Sequence, residues 1–253
     1  MKVTELYGRL CDQIPQSLSM PWDNDGLQLC PEPEKEVKRV LCALDLTPAA
    51  AQFAIDHRCD AVLTHHPLMF APLSVLQLGS GKGDTVLRLA KAGISSMSFH
   101  TRYDALDGGM NDILCNTLGF KPGERFGEEG ECIGRLADIP EIPVAQLAEH
   151  VKKTLGAPFV LLSAGCCGKV SRVALCAGDA KDFIIPAAKC GADVLICGRA
   201  SYNTVIESQE HGIAVIEAGH YYTEVICVPD LAARVTAFGI EALQFTENDI
   251  TAI

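Results

Sequence analysis

The chain has 253 residues, 48% of them hydrophobic and 21% charged, a globular composition with room for one large or two small domains. Its net charge of −11, with no block of Lys and Arg to offset it, lacks the basic face that a nucleic-acid backbone requires. Met1-Lys-Val-Thr-Glu-Leu6 has no apolar signal core and no apolar run nears the roughly 18 residues of a membrane span, so a cytoplasmic protein with neither nucleic-acid nor membrane partners is expected.

Val3, Leu6, Leu10 and Ile14 recur at helical spacing, predicting a helix over 3–14 with Thr4 as a possible cap and Pro15 as its terminator. In Trp22-Asp-Asn-Asp-Gly-Leu-Gln28, residues 24–26 read as a turn and 27–29 as a short strand, and the lone Trp suits a pocket lip as well as a simple turn. A strand over 39–45 leads into Thr47-Pro48, a helix start with Thr as N-cap and Pro at the first helical position, and the helix runs over 48–57. The apolar run Ala61-Val-Leu63 is a buried parallel strand that Pro67 stops, which leaves His65 and His66 at its carboxyl end. A helix over 83–92 ends at Gly93. A strand over 94–99 then ends in His100-Thr-Arg-Tyr-Asp104. The stretch 121–135, with Gly127-Glu-Glu-Gly130, reads as a boundary between domains 1–125 and 126–253. Beyond it a helix over 143–155 and strands over 159–163 and 172–177 follow, with Cys166-Cys-Gly168 as the turn between the strands.

Twelve cysteines are scattered without a CxxC pair, and Cys42, Cys176, Cys197 and Cys227 lie in apolar runs. Reduced, mostly buried thiols are therefore predicted rather than a disulfide framework. A thiol-redox protein using Cys166-Cys167 is a further reading, although neither sits in a motif that lowers a thiol pKa.

The second half echoes the first. Arg39-Val-Leu-Cys-Ala-x-Asp45 matches Arg172-Val-Ala-Leu-Cys-Ala-Gly-Asp179, and Asp60-Ala-Val-Leu-Thr-His-His66 aligns with Asp193-Val-Leu-Ile-Cys-Gly-Arg199. Gly93-Ile94 and Gly212-Ile213 each open a strand, and these end in His100-x-x-x-Asp104 and His220-x-x-x-Glu224. The order of these echoes predicts an α/β fold of two similar domains from an internal duplication, with a metal site in the cleft between them.

Ligands of open α/β sheets bind at the carboxyl ends of strands, where all three histidine motifs fall. A helical turn places the His and the acid of each His-x-x-x-acid motif on one face. Three to four imidazoles with two carboxylates suit Zn, Mn, Fe or Co better than Ca or Mg, which prefer oxygen alone. Each motif by itself also has a plainer explanation, a hydrogen-bonded loop end. His57, His150 and His211 sit in or at the ends of helices and read as structural or solvated.

The ordered set Trp22-Asp-Asn-Asp-Gly-Leu-Gln28, Thr64-His-His-Pro67, His100-Thr-x-x-Asp104, Gly108-Gly-x-Asn-Asp112 and Gly219-His-Tyr-x-Thr-Glu224 resembles the NIF-three-like dinuclear-metal proteins, also called GTP cyclohydrolase type-2 homologues. The resemblance covers about residues 3 to 246. It implies two similar α/β domains, a ring-shaped homo-hexamer and two divalent metal ions. By motif match it implies His65, His66, Asp104, His220 and Glu224 as ligands, with His100 adjacent as a ligand, an outer partner or a proton carrier. The chain departs from the family at Arg102-Tyr103, at Cys197-Gly-Arg199 and at Ala177-Gly-Asp-Ala180. Arg102 and Arg199 add positive charge that suits a phosphate or carboxylate, or alternatively two surface ion pairs, and Tyr103 or Tyr222 is a candidate to orient a substrate. The leading expectation is a metal-dependent hydrolase of a nucleotide or phosphate-containing small molecule, with His100 as general acid or base. The alternative is a non-catalytic metal-binding hexameric scaffold or metal-handling protein.

Overall fold

The computed structural model describes residues 1–79, 81–128, 132–163 and 168–248. Cys166 and Cys167 of the predicted turn, and Glu129 and Gly130 of Gly127-Glu-Glu-Gly130, lie outside the described residues. In chain order the elements are α1 (Val3–Gln13), β1 (Gly26–Leu29), β2 (Arg39–Ala43), α2 (Pro48–Asp56), β3 (Ala61–Thr64), α3 (Gly81–Lys91), β4 (Ser95–Ser98), α4 (Thr101–Ala105) and α5 (Met110–Thr117). They continue with β5 (Arg125–Phe126), β6 (Gly134–Pro143), α6 (Val144–Leu155), β7 (Leu161–Leu162), β8 (Lys169–Asp179), α7 (Ile184–Lys189), β9 (Val194–Arg199), α8 (Tyr202–Glu210), β10 (Ala214–Glu217), α9 (His220–Glu224), α10 (Val228–Thr236) and β11 (Glu241–Phe245).

Contacts divide the chain into two units. The first is Met1–Tyr103 with Cys227–Glu247, and the second runs from Asp104 to Ile226 and takes in Asn248. This corrects the boundary expected near residue 125. The reason is the return of the chain: β11 pairs in parallel with β2, Glu241 opposite Arg39 through Phe245 opposite Ala43, so the last helix and strand belong to the first unit. The predicted cap of α1 also changes, since Lys2 holds the N-cap position and no side chain caps it.

The first unit is a five-stranded sheet in the order β1-β4-β3-β2-β11, parallel except for β1. Every residue of β3 and β4 is buried, as a parallel sheet covered on both faces requires. Thr47 accepts the Ala50 amide and Pro48 opens α2, which buries Ala50, Ala51 and Ala54 against Leu41, Val62 and Leu89.

The second unit is a six-stranded sheet in the order β5-β6-β8-β9-β10-β7, with β8, β9 and β10 parallel. Alternate residues of β8 enter different cores. Val173 and Leu175 pack with Leu147 and Val151 of α6, whereas Ala174 and Cys176 pack with Ile184 and Ala187 of α7.

The predicted duplication is visible in detail. The series β1, β4, β3, β2 of one sheet corresponds to β7, β10, β9, β8 of the other, each with an antiparallel first strand. Asp60 Oδ2 accepts the Lys38 and Arg39 amides at 2.8 and 3.1 Å, and Asp193 Oδ2 accepts those of Ser171 and Arg172 at 2.7 and 2.9 Å. Among the described residues no helix is long and apolar enough to cross a membrane. Cys42, Cys176 and Cys197 are buried thiols outside any disulfide, and burial pushes the Cys42 thiol up to about 12.

Candidate metal centre

In the first unit three imidazoles meet just past the strand ends. β3 delivers His65 and His66, and the turn between β4 and α4 delivers His100. Ring centroids lie 4.9 Å apart for His65–His66, 5.2 Å for His65–His100 and 5.6 Å for His66–His100. One candidate ligand atom from each of the three lies within 4.8 Å of the others.

Each ring is anchored through the same nitrogen. Nδ1 of His65 is 3.0 Å from the Phe99 carbonyl, Nδ1 of His66 is 2.9 Å from Asp45 Oδ1, and Nδ1 of His100 is 2.9 Å from Asp23 Oδ1. A carbonyl can only accept, so it fixes a proton on Nδ1 of His65, and a carboxylate does the same for the other two rings. The unprotonated Nε2 atoms are then the donors, as in the carboxylate–histidine–metal arrangements of known metal sites. Asp23 is itself held. Burial alone would raise its pKa, but the hydrogen bond from His100 and two donors of Thr101 bring it below the ordinary carboxylate value. Asp23 and Asp45 were missed as site residues. Their signal was present, since Asp23 follows Trp22 in the first family motif and Asp45 ends the strand before the Thr47 cap.

In the second unit α9 carries His220 and Glu224 one turn apart, with Nε2 and Oε2 2.9 Å from each other. Glu224 is 4% exposed, whereas the His220 side chain is 43% exposed. The chain makes room for this pair with glycine. Gly178 has φ +68°, and a Cβ there would collide with Glu224 Oε1 and lie 3.3 Å from His220 Nε2. A Cβ on Gly198 would meet the Gly178 carbonyl at 2.6 Å and Thr223 Oγ1 at 2.7 Å. Asp104, on α4, is also buried. Burial raises the Cys176 thiol well above its ordinary value, and the charges of Asp104 and Glu224 both add to that shift. Asn111 ties the region together: its amide donates to the Asp104 and Ile133 carbonyls and accepts from the Ala177 amide.

Nitrogen and carboxylate donors of this kind, with oriented outer partners, fit Zn, Mn, Fe or Co.

Two of the four expected substrate residues are placed otherwise. Arg102 is fully buried. Its Nε donates to Asp25 Oδ2 at 2.7 Å, and its guanidinium lies 4.3 Å from the Phe99 ring centroid. Burial opposes its charge, but Tyr7 and Asp25 hold it protonated, so it is neither an anion receptor nor a surface pair. Tyr103 is also fully buried, with its hydroxyl donating to Asp230 Oδ2 and Arg234 against its ring. Burial first, then the charges of Cys227 and Asp230, push its phenol far above the ordinary range. Tyr222 is half-buried against the second unit's core, and its hydroxyl accepts from Asn248. Arg199 alone is exposed, at the end of β9, and no ion pair holds its guanidinium among the described residues. The other histidines are structural, as expected: His57 stacks on Phe53 at 3.8 Å, His150 contacts the Leu118 carbonyl, and His211 caps α8.

The family model for Duf34/NIF3 (NGG1p interacting factor 3) matches residues 1–249. A Clostridium perfringens protein named "GTP cyclohydrolase 1 type 2 homolog" is 30% identical over 229 residues, covering 88% of this chain and 87% of that protein. A Clostridium acetobutylicum protein of the same name is 31% identical over 234 residues, with 88% and 85% covered. The structure of a Bacillus cereus protein related to NIF3 superposes with a TM-score of 0.88 at 20% identity, covering 100% of this chain and 99% of that one, a likeness of fold alone. Matched along nearly its whole length, the chain belongs to the Duf34/NIF3 family.

Proposed function

We propose that the chain binds two divalent metal ions and uses them to hydrolyse a nucleotide or another phosphate-containing small molecule. The observation that carries this is the convergence of three imidazoles whose Nδ1 atoms are all engaged by acceptors, which leaves Nε2 as the ring nitrogen that can take a metal or a proton. His65 and His66 of the first unit, and Asp104, His220 and Glu224 of the second, are the proposed ligands. When bound, such ions supply a Lewis acid and a water acidified towards neutral pH.

His100 is the proposed proton carrier. Asp23 keeps a proton on its Nδ1, so Nε2 is the atom that accepts a proton and later returns it to a leaving oxygen. With Arg102 buried in a salt bridge, an anionic group of the substrate falls to Arg199. The relatives named for GTP cyclohydrolase favour a nucleotide among phosphate compounds.

The test measures metal content and turnover together on a panel of nucleotides and phosphoesters. His65→Ala and Glu224→Ala are expected to lose metal and activity alike. His100→Ala is expected to keep metal and lose roughly two or more orders of magnitude in kcat, the usual contribution of general acid–base catalysis. Turnover that survives both chelation and His66→Ala would sink the proposal. A second reading, a metal-holding scaffold without catalysis, draws on the exposed apolar side chains Val75, Leu76 and Leu78. Retained metal with no turnover anywhere on the panel would select it.

A further inference from the structure

Two large aromatic side chains stand in solvent beside the imidazole cluster. Trp22 is 55% exposed and Phe70 is 49% exposed. Their ring centroids lie 6.1 Å apart with the planes at 63°. Each also meets the His100 ring edge-on, Trp22 at 6.4 Å and Phe70 at 6.1 Å. Exposed rings cost solvation, and these are fixed in place by polar contacts. The Gln28 amide accepts from the Met69 backbone N–H at 2.9 Å and donates to the Met69 carbonyl at 3.0 Å. The Asn24 amide also donates to the Met69 carbonyl. Phe70 is therefore set by the residue before it, and Trp22 by the turn that places Asp23 on His100 and Thr101.

We infer that Trp22 and Phe70 form a recognition edge for a planar heteroaromatic ring of the substrate, such as the base of a nucleoside phosphate. This rests on the proposed hydrolase and names the part of the substrate that the metal ligands do not read. A ring sandwiched between two others needs about 7 Å between them, two stacking distances of about 3.5 Å. At 6.1 Å the Trp22–Phe70 gap is too narrow for that. The base therefore stacks on the outer face of Trp22, while Phe70 closes one edge and keeps the indole from rotating. With the base there, His100 is the first polar side chain of the cluster that the rest of the molecule meets. Stacking reads the π-face and tolerates any base, so the edge selects a nucleoside over a bare sugar phosphate without choosing among nucleosides.

Trp22 is the chain's single tryptophan, so its fluorescence reports this contact directly. The experiment titrates the full-length, Mn-loaded protein with adenosine 5′-monophosphate and, separately, with ribose 5-phosphate, and measures metal content on the same samples. Saturable quenching by the nucleotide and none by the sugar phosphate is expected. Phe70→Ala should weaken the nucleotide's apparent affinity by about tenfold, because the indole it braces is then free to rotate and one edge of the stacking platform is opened, and Phe70→Tyr should restore it. Quenching that is equal for the two ligands overturns the inference, as does unchanged affinity in Phe70→Ala. So does an emission change that follows protein concentration instead of nucleotide, which would assign the rings to contact between copies. In each of these outcomes retained metal leaves the metal-centre proposal standing, whereas a protein that holds no metal removes that proposal first.

Discussion

At the scale of single residues, burial decides role. His65 and His66 were legible as site residues because two imidazoles ahead of a proline mark a strand end. Arg102 and Tyr103 sit between two site residues in sequence, yet both are sealed in the first unit, and nothing local announces it. Their partners Asp25 and Asp230 lie 77 and 127 positions away. The Arg102–Asp25 pair is buried on both sides, at 0% and 1% side-chain exposure. Removing one partner of such a pair strands the other charge. Asp25→Ala is therefore expected to lower stability by about 3–5 kcal/mol in urea denaturation, and Arg199→Ala, on an exposed arginine, by less than about 0.5 kcal/mol. Gly178→Ala makes a different point. Its φ of +68° and the position of Glu224 Oε1 leave no room for a methyl group. A loss of about 1–3 kcal/mol is expected, with lower metal retention measured on the same sample, because the carboxylate must move.

At the scale of elements, the parallel strands were readable because their apolar runs are continuous, and α2 because Thr47-Pro48 announces it. The strand β6 was not readable. It contains Pro140 and Pro143, which argue against a strand, and the structure accommodates Pro140 where the register against β8 shifts between Asp138 and Ile142, and Pro143 as the strand's last residue, opposite Lys169. The duplication, visible in sequence as four echoes, reaches down to one carboxylate per unit that clamps the start of a strand. Asp193 is the instructive copy. Burial opposes its charge, but the Arg172 and Ser171 donors outweigh it and hold its pKa below the ordinary value. A depressed folded-state pKa contributes stability that is complete above the unfolded value near 3.8 and is lost as pH falls through the folded one. Asp193→Asn should therefore flatten the acid limb of a stability–pH profile below about pH 4, measured by thermal melts, and leave the neutral region's slope unchanged.

At the scale of the whole molecule, the boundary drawn from the Gly- and Glu-rich stretch was wrong because composition marks a loop, whereas membership in a unit is decided by strand pairing. A fragment of residues 1–125 lacks β11 and leaves the edge of β2 bare, together with the apolar surface that α10 covers. Residues 104–226 contain all six strands of their sheet. The second fragment is expected to melt cooperatively by circular dichroism and the first is not, which is the reverse of what the compositional boundary predicts. The pairing of Glu241–Phe245 with Arg39–Ala43 also has a consequence during synthesis. The ribosome delivers residues 1–103 first, but that part of the first unit waits until Glu241–Phe245 has been made before its outermost strand arrives. The half translated later is thus the earlier one able to reach its native form, and the nascent amino-terminal segment is the part most exposed to proteases and chaperones while it waits.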